Sequence, residues 1–410
     1  MSWQVKRLGD VITLQRGFDL PSQDRRPGQV PIVSSSGVSG THDEARVPAP
    51  GVVTGRYGSI GQVHFIESDF WPLNTTLFVK DFRGNDPRFI SYLLRTVDFA
   101  SCSDKSSVPG VNRNDLHRLR VAVPDLPVQL YIAETLGALD NKIELNRRMS
   151  RILESIARTI FKSWFVDFDA VRAKAQGRDS GLPPALADLF PHRLVHRKLG
   201  EIPEGWSAVP LHGVATFING ATYGAFEPNA DGRGLPIVKI AELKAGVTST
   251  TRFSEVQMPE KYRIGPRDIL FSWSGNPDTS IDTFVWAHDE AWLNQHIFRV
   301  LPQRPHERSF VLTLLRHLRP VFAEIARNKQ TTGLGHVTAA DMKRLLVVRP
   351  DDSVLRAWDA VAAPILELAF VRERENGSLA DLRDALLPRL LSGEVRVASV
   401  DDAEAPVEVL

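Results

Sequence analysis

Only one cysteine, Cys102, stands in this chain of 410 residues. One thiol cannot build a disulfide framework or a cysteine-ligated zinc or iron–sulfur site, and the scarcity fits a reducing cytosol. No apolar run is long enough to span a bilayer, so no membrane contact is expected. The N-terminus, MSWQVKRLGDV, lacks the apolar core of a secretory signal, and a cytoplasmic location is expected. An excess of either charge is also missing: 50 Lys and Arg face 49 Asp and Glu, a net charge of +1. A protein that holds DNA unaided is as a rule clearly basic. The balance therefore argues against a stand-alone DNA binder, and is compatible with one that shares phosphate contacts with partners or segregates its charges.

Catalytic motifs are lacking as well. There is no Gly-rich phosphate loop, no dinucleotide fingerprint after a strand, and no H-E-x-x-H. Asn276-Pro277-Asp278 lacks the second proline and the aromatic with which an amino-methyltransferase grips its target nitrogen. The eleven histidines lie scattered, without metal-ligand spacing. Pro350-Asp351-Asp352 starts like a nuclease carboxylate cluster, but no Glu-x-Lys follows. Asp351 and Asp352 read instead as acids at a helix N-terminus. No catalytic, cofactor-binding or metal-binding residue is assigned, and the chain is not expected to be an enzyme by itself.

What is present is a repeat. W3QVKRLGDVITLQRG matches W206SAVPLHGVATFING, with Trp3, Leu8, Val11, Thr13 and Gly17 opposite Trp206, Leu211, Val214, Thr216 and Gly220. Four further blocks follow in the same order: PIVSSSG with PIVKIAE, WPLNTTLFV with AWLNQHIFRV, DPRFISYLLR with ERSFVLTLLR, and DLHRLRVAVP with DMKRLLVVRP. The offset grows from 203 at Trp3/Trp206 to 220 at Asn74/Asn294 and 226 at Asp115/Asp341. The insertions fall in polar, Gly-rich stretches where loops belong.

Each copy ends in an apolar stripe at helical spacing. The first runs through Ile132, Leu136, Leu139, Ile143, Met149, Ile152, Leu153, Ile156, Ile160 and Trp164. The second runs through Leu366, Phe370, Leu379, Leu382, Leu386 and Leu390, with Pro364 expected to split off a short leading helix and Pro388 and Gly393 to mark the end. Long helices are expected at 140–166 and 365–392, each too long to bury its stripe in a small domain, so each is the natural partner of the other. The Pro- and Gly-rich span between the copies reads as a linker with one short helix. The tail after Ser399 has four acids and no base and reads as a solvated, disordered end.

Polar loops of a recognition type remain: GRYGSIG at 55–61, SDKSSVPGVNR at 103–113, FSWSGNPDTS at 271–280 and RNKQTTGLGHVT at 327–338. Gly allows close backbone approach to a phosphate, and Arg, Asn and Gln can pair bidentately with base edges. The candidate DNA-binding residues are Arg56, Tyr57, Lys105, Ser106, Arg113, Ser272, Trp273, Asn276, Lys329, Gln330 and Thr331.

The wording of four blocks resembles the specificity (S) subunits of Type I restriction-modification systems: LPVQLYIAETLGALDNKIELNRR, FKSWFVDFD, LGEIPEGW and ENGSLADLRDALLPRLLSGEV. The resemblance covers nearly the whole chain. It implies an α+β fold of two α/β target recognition domains in tandem pseudo-repeat, separated by two long helices packed as an antiparallel coiled coil. The implied divisions are target recognition domains at 1–127 and 201–350, helical spacer regions at 128–171 and 351–395, a linker at 172–200 and the acidic tail at 396–410. It further implies that each domain reads one half of a split double-stranded DNA site. Two DNA methyltransferase subunits would dock on the helices, and nuclease-translocase subunits would join them. S-adenosylmethionine, and ATP with Mg, would sit on those partners. A modification-only or phage-defence relative would carry the same features. A coiled-coil adaptor that binds protein is the alternative from another class; the low charge favours it and the Arg-, Asn- and Ser-rich loops oppose it.

Overall fold

The computed structural model describes residues 3–102, 110–330 and 333–395. It divides into two compact units, residues 1–143 with 379–410 and residues 144–378. Each long helix contributes one stretch to each unit.

In the first unit a four-stranded antiparallel sheet runs in the order Thr13–Arg16, Thr76–Asp81, Gly51–Gly55, Val63–Ile66. A smaller sheet pairs Val30–Ser34 antiparallel with Gly37–His42 and parallel with Trp71–Pro72. Gln4–Arg7 pairs with Arg120–Val123 and so returns the end of the domain to its start. Helix Pro87–Arg95 begins where the Asp86 carboxylate accepts the Phe89 N–H at 2.7 Å, with Pro87 in the first turn, where a missing N–H costs nothing. Its buried face (Phe89, Ile90, Leu93 and Leu94) joins Leu8, Val52, Leu77, Ile132 and Leu390 in one core. Full burial of each such side chain is worth about 1.5–3 kcal/mol.

The second unit repeats this plan. Its four-stranded sheet runs Ala215–Asn219, Ile297–Pro302, Ile269–Ser272, Asp282–Val285, the same order of equivalent strands. Leu235–Val238 lies parallel to Ala291–Leu293, and Ser207–Pro210 pairs with Leu346–Arg349. The matched glycines do the same work in both units. A Cβ on Gly17 would lie 2.2 Å from the Leu73 carbonyl oxygen, and one on Gly220 2.2 Å from that of Asn294. Only glycine allows the sheets to meet so closely.

Within 172–200, read from composition as a linker, lie helix Pro184–Ala187 and strand Leu194–Arg197, which pairs with Gly200–Pro203. Phe190 is fully buried there, edge-on to Trp164 at 5.1 Å. Trp164, Phe165, Trp206, Phe310 and Trp358 complete an aromatic core.

The helices are Leu126–Phe165 and Asp352–Leu391, 40 residues each. At 1.5 Å per residue each is about 60 Å long. They pack antiparallel. In the first unit Arg383 bonds Asp140 at 2.7 Å. In the second, Asn146 bonds Glu375 at 3.0 Å and the Ser150 hydroxyl bonds the Ala369 carbonyl at 3.3 Å.

Two expectations about these helices are corrected. Pro364 does not end a helix: Asp352–Leu391 runs through it. The ring frees the carbonyl of Ala360, and both residues lie on the exposed side of the helix. The first stripe also changes phase in its middle. Ile152 and Ile156 are 60% and 44% exposed, whereas Asn146 and Ala157 are buried. A buried asparagine at the interhelical seam is a feature that an apolar count cannot see.

Candidate nucleic-acid interface

In the first unit, loop 55–61 leaves the end of strand Gly51–Gly55. The N–H groups of Arg56 and Tyr57 donate to the Thr75 carbonyl at 2.9 and 3.2 Å, and the Val111 N–H donates to the Arg56 carbonyl at 3.0 Å. Tyr57 forms an antiparallel bridge with Gly110, where a Cβ would lie 2.3 Å from the tyrosine ring. These contacts bring the loops at 55–61 and 110–113 together. The Arg56 guanidinium stacks over the Tyr57 ring, 4.6 Å from its centroid. Arg113 is exposed at the first position of helix Arg113–Arg118, capped by Asn112. Lys105 and Ser106 lie outside the described residues.

In the second unit the equivalent loop follows strand Ile269–Ser272. Ser274–Gly275 pairs with Gly335–His336, which again brings the two predicted loops together. The half-buried Trp273 donates its indole N–H to Asn219 at 3.0 Å and stands 5.5 Å from the His296 ring and 5.9 Å from the His336 ring. Burial, and then electrostatic repulsion from the nearby His336 ring, hold the His296 imidazole below its ordinary value. Ser272 is fully buried, and its hydroxyl has no partner among the described residues. Thr54, at the equivalent position of the first unit, shares both properties.

Other candidates are committed to structure. The Asn276 side chain accepts the N–H groups of Asp278 and Thr279 at 2.9 and 3.2 Å and so shapes its own turn. Arg327 holds the Asp278 carboxylate at 2.6 Å. The Lys329 ammonium lies 2.5 and 2.6 Å from the two carboxylate oxygens of Asp341, so its charge is largely spent there. Gln330 is exposed, and Thr331 lies outside the described residues.

Three features escaped the sequence reading: the serine turn at 34–36, the Tyr223–Lys239 pair, and the partners Asn219 and His296 of the candidate Trp273. The PIVSSSG/PIVKIAE match held the signal for the first two, because it marks where the copies diverge right after a shared strand.

One cluster outside the loops has the residue types of a metal centre. Ligand atoms of His306, Glu307 and Asp352 lie within 4.8 Å of one another. Yet Arg304 and Arg356 hold Asp352 at 2.7 and 2.9 Å, and Arg349 holds Glu307 at 2.6 Å. His306 first, then Arg356 and Arg304, push the Asp352 carboxyl down to about 2. Three arginines on two carboxylates repel a cation, and the cluster reads as an ion-pair network. Asp351 caps helix Asp352–Leu391 by accepting the Val354 N–H at 3.0 Å. No helix among the described residues is long and apolar enough to cross a membrane.

Two copies of one sheet plan, each bringing two polar loops to one edge and each joined to a long helix, define a tandem recognition protein. The family described as Type I restriction modification DNA specificity domain matches residues 1–155 and 203–352, and the chain belongs to that family. The HindI specificity subunit of Haemophilus influenzae is 24% identical over 391 residues, 82% of this chain and 84% of that protein. The MjaIX specificity subunit of Methanocaldococcus jannaschii is 24% identical over 318 residues, 75% of this chain and 69% of that protein. Among solved structures, a Type I restriction-modification S subunit from M. genitalium matches with a TM-score of 0.54 at 16% identity, covering 95% of this chain and 96% of that one. That match supports the fold alone.

Proposed function

We propose that each unit reads one half of a split, asymmetric DNA site, and that the helical regions dock two methyltransferase subunits, with nuclease-translocase subunits joining them. One observation carries this reading: the same scaffold occurs twice, and equivalent loops carry different side chains. Gly55, Arg56 and Tyr57 stand where Trp273, Ser274 and Gly275 stand in the second unit. Different groups on equivalent edges read different bases, hence an asymmetric site. Arg56, Arg113 and Gln330 are the exposed or half-exposed groups best suited to base edges or phosphates. The helices, through their length, set the number of base pairs between the half-sites.

The chain's own part is binding and orientation. S-adenosylmethionine, and ATP with Mg, belong on the partners and supply methyl transfer and DNA translocation there. The test is methylation mapping in cells that express this chain with and without its methyltransferase. With it, adenines in one split, asymmetric sequence should be marked. Methyl transfer by the purified chain alone, or marks without a split site, would contradict the proposal.

A further inference from the structure

In both units the loop described above is braced by the segment that follows the shared Pro-Ile-Val strand. In the first unit that segment is a tight turn at 34–36. The Ser34 hydroxyl donates to the Gly37 carbonyl at 2.9 Å and lies 3.1 Å from the Ser36 hydroxyl, so Ser34 holds the turn together. The Ser35 hydroxyl has no partner among the described residues, and Ser36 is exposed. The turn abuts loop 55–61. A Cβ on Gly58 would be 3.4 Å from the Ser35 hydroxyl oxygen, and one on Gly55 3.2 Å from the Ser35 Cβ. His64 reaches the Ser35 carbonyl from the other side at 3.4 Å.

The alignment of the copies puts Lys239 where Ser34 stands. There the chain enters helix Ile240–Ala245 instead of a turn. The Lys239 backbone N–H is taken by Glu242 at 3.0 Å, while its ammonium lies 5.4 Å from the Tyr223 ring and in no ion pair among the described residues. This helix abuts the second reading loop: a Cβ on Gly275 would be 3.9 Å from Ile240 Cδ1, and Lys244 bonds the Thr279 carbonyl. The segment that follows the shared strand thus offers hydroxyls in one unit and an ammonium in the other, each beside the loop already assigned to DNA.

We propose that this segment forms a second DNA-reading edge: Ser35 and Ser36 read a base in the half-site of the first unit, and Lys239 grips the DNA backbone in that of the second. A hydroxyl can both donate and accept, which suits a base edge; an ammonium acts as a point charge, which suits a phosphate. The proposal rests on the DNA-reading function above.

The test uses the full chain with its methyltransferase, on duplexes that carry the mapped site and each single-base replacement. Ser35→Ala/Ser36→Ala should lose about tenfold in discrimination at one base position of one half-site. Ser35→Thr, which keeps the hydroxyl, should retain it. Lys239→Ala should weaken all sequences alike and reduce the slope of log affinity against log salt by about one. Variants that match the wild type on every duplex would overturn the proposal while leaving split-site reading intact. A uniform loss in the serine variant that tracks a lowered melting temperature would overturn it as well, because it would mark a purely structural turn. A wild-type complex that reads no split site would remove the underlying function and this proposal with it.

Discussion

The two units share a sheet order and differ in how their first domain helices grip the long helices. In the first unit the Tyr92 hydroxyl and Arg383 both bond Asp140, at 2.7 Å each, and Arg95 stands 3.3 Å away. In the second, the residue equivalent to Tyr92 is Thr313, whose hydroxyl turns back to the Ser309 carbonyl at 2.8 Å. Arg316, equivalent to Arg95, pairs with Glu154 at 2.9 Å instead. The second unit makes up the difference with its aromatic core around Trp358. The repeat therefore preserves backbone architecture, which the sheets and their glycines require, and leaves side-chain attachments free to diverge. The loop edges share that freedom, and the proposed reading of two sequences by one scaffold rests on it.

The sharpest way to break the comparison is at the matched glycines. Gly17→Ala and Gly220→Ala should each destabilise their own unit by about 1–3 kcal/mol, because the added Cβ meets backbone that must shift. Hydrogen exchange resolved by unit would measure this. A loss in one variant and none in the other would show that the two glycines are not equivalent.

A smaller effect separates the units by pH. Burial alone would raise the Asp140 carboxyl, but hydrogen bonds from Arg383 and Tyr92 and the charge of Arg95 outweigh it and hold the carboxyl below its ordinary value of 3.8. A lowered folded-state value means that the stabilisation is complete above about pH 4 and fades as pH falls through the folded value. Asp140→Asn should cost about 1–2 kcal/mol at pH 7, allowing for partial exposure of the cluster, and progressively less toward pH 3. Denaturation of the first unit from pH 7 to pH 3 would reveal this. A cost independent of pH would deny the ionic character of the contact.

The sequence made the repeat and the helices legible because both rest on apolar periodicity and on glycines that permit close backbone approach. The unread features depend on partners distant in sequence. Asn146 is buried because Glu375 meets it across the helix seam. Pro364 stands on the exposed side of its helix, where the carbonyl it frees need not be buried. Lys329 looks like a free cation until Asp341 is seen against it. Ser35 and Lys239 stood in a matched block but looked like scaffold, because the identity ends at Val33 and Val238, two residues before Ser35 and one before Lys239. Loop 55–61 and its counterpart were legible as loops, but the side chains that a loop spends on its own turn, such as Asn276, cannot be told from those it offers to DNA until hydrogen bonds are placed.

The central claim is that the two domains read DNA independently on one repeated scaffold. It is tested most directly by replacing residues 1–127 with the equivalent domain of a relative and mapping methylation in cells that also supply the methyltransferase. One half-site should change, with the other half-site unaltered. A change in both half-sites together, or in neither, would contradict independent reading.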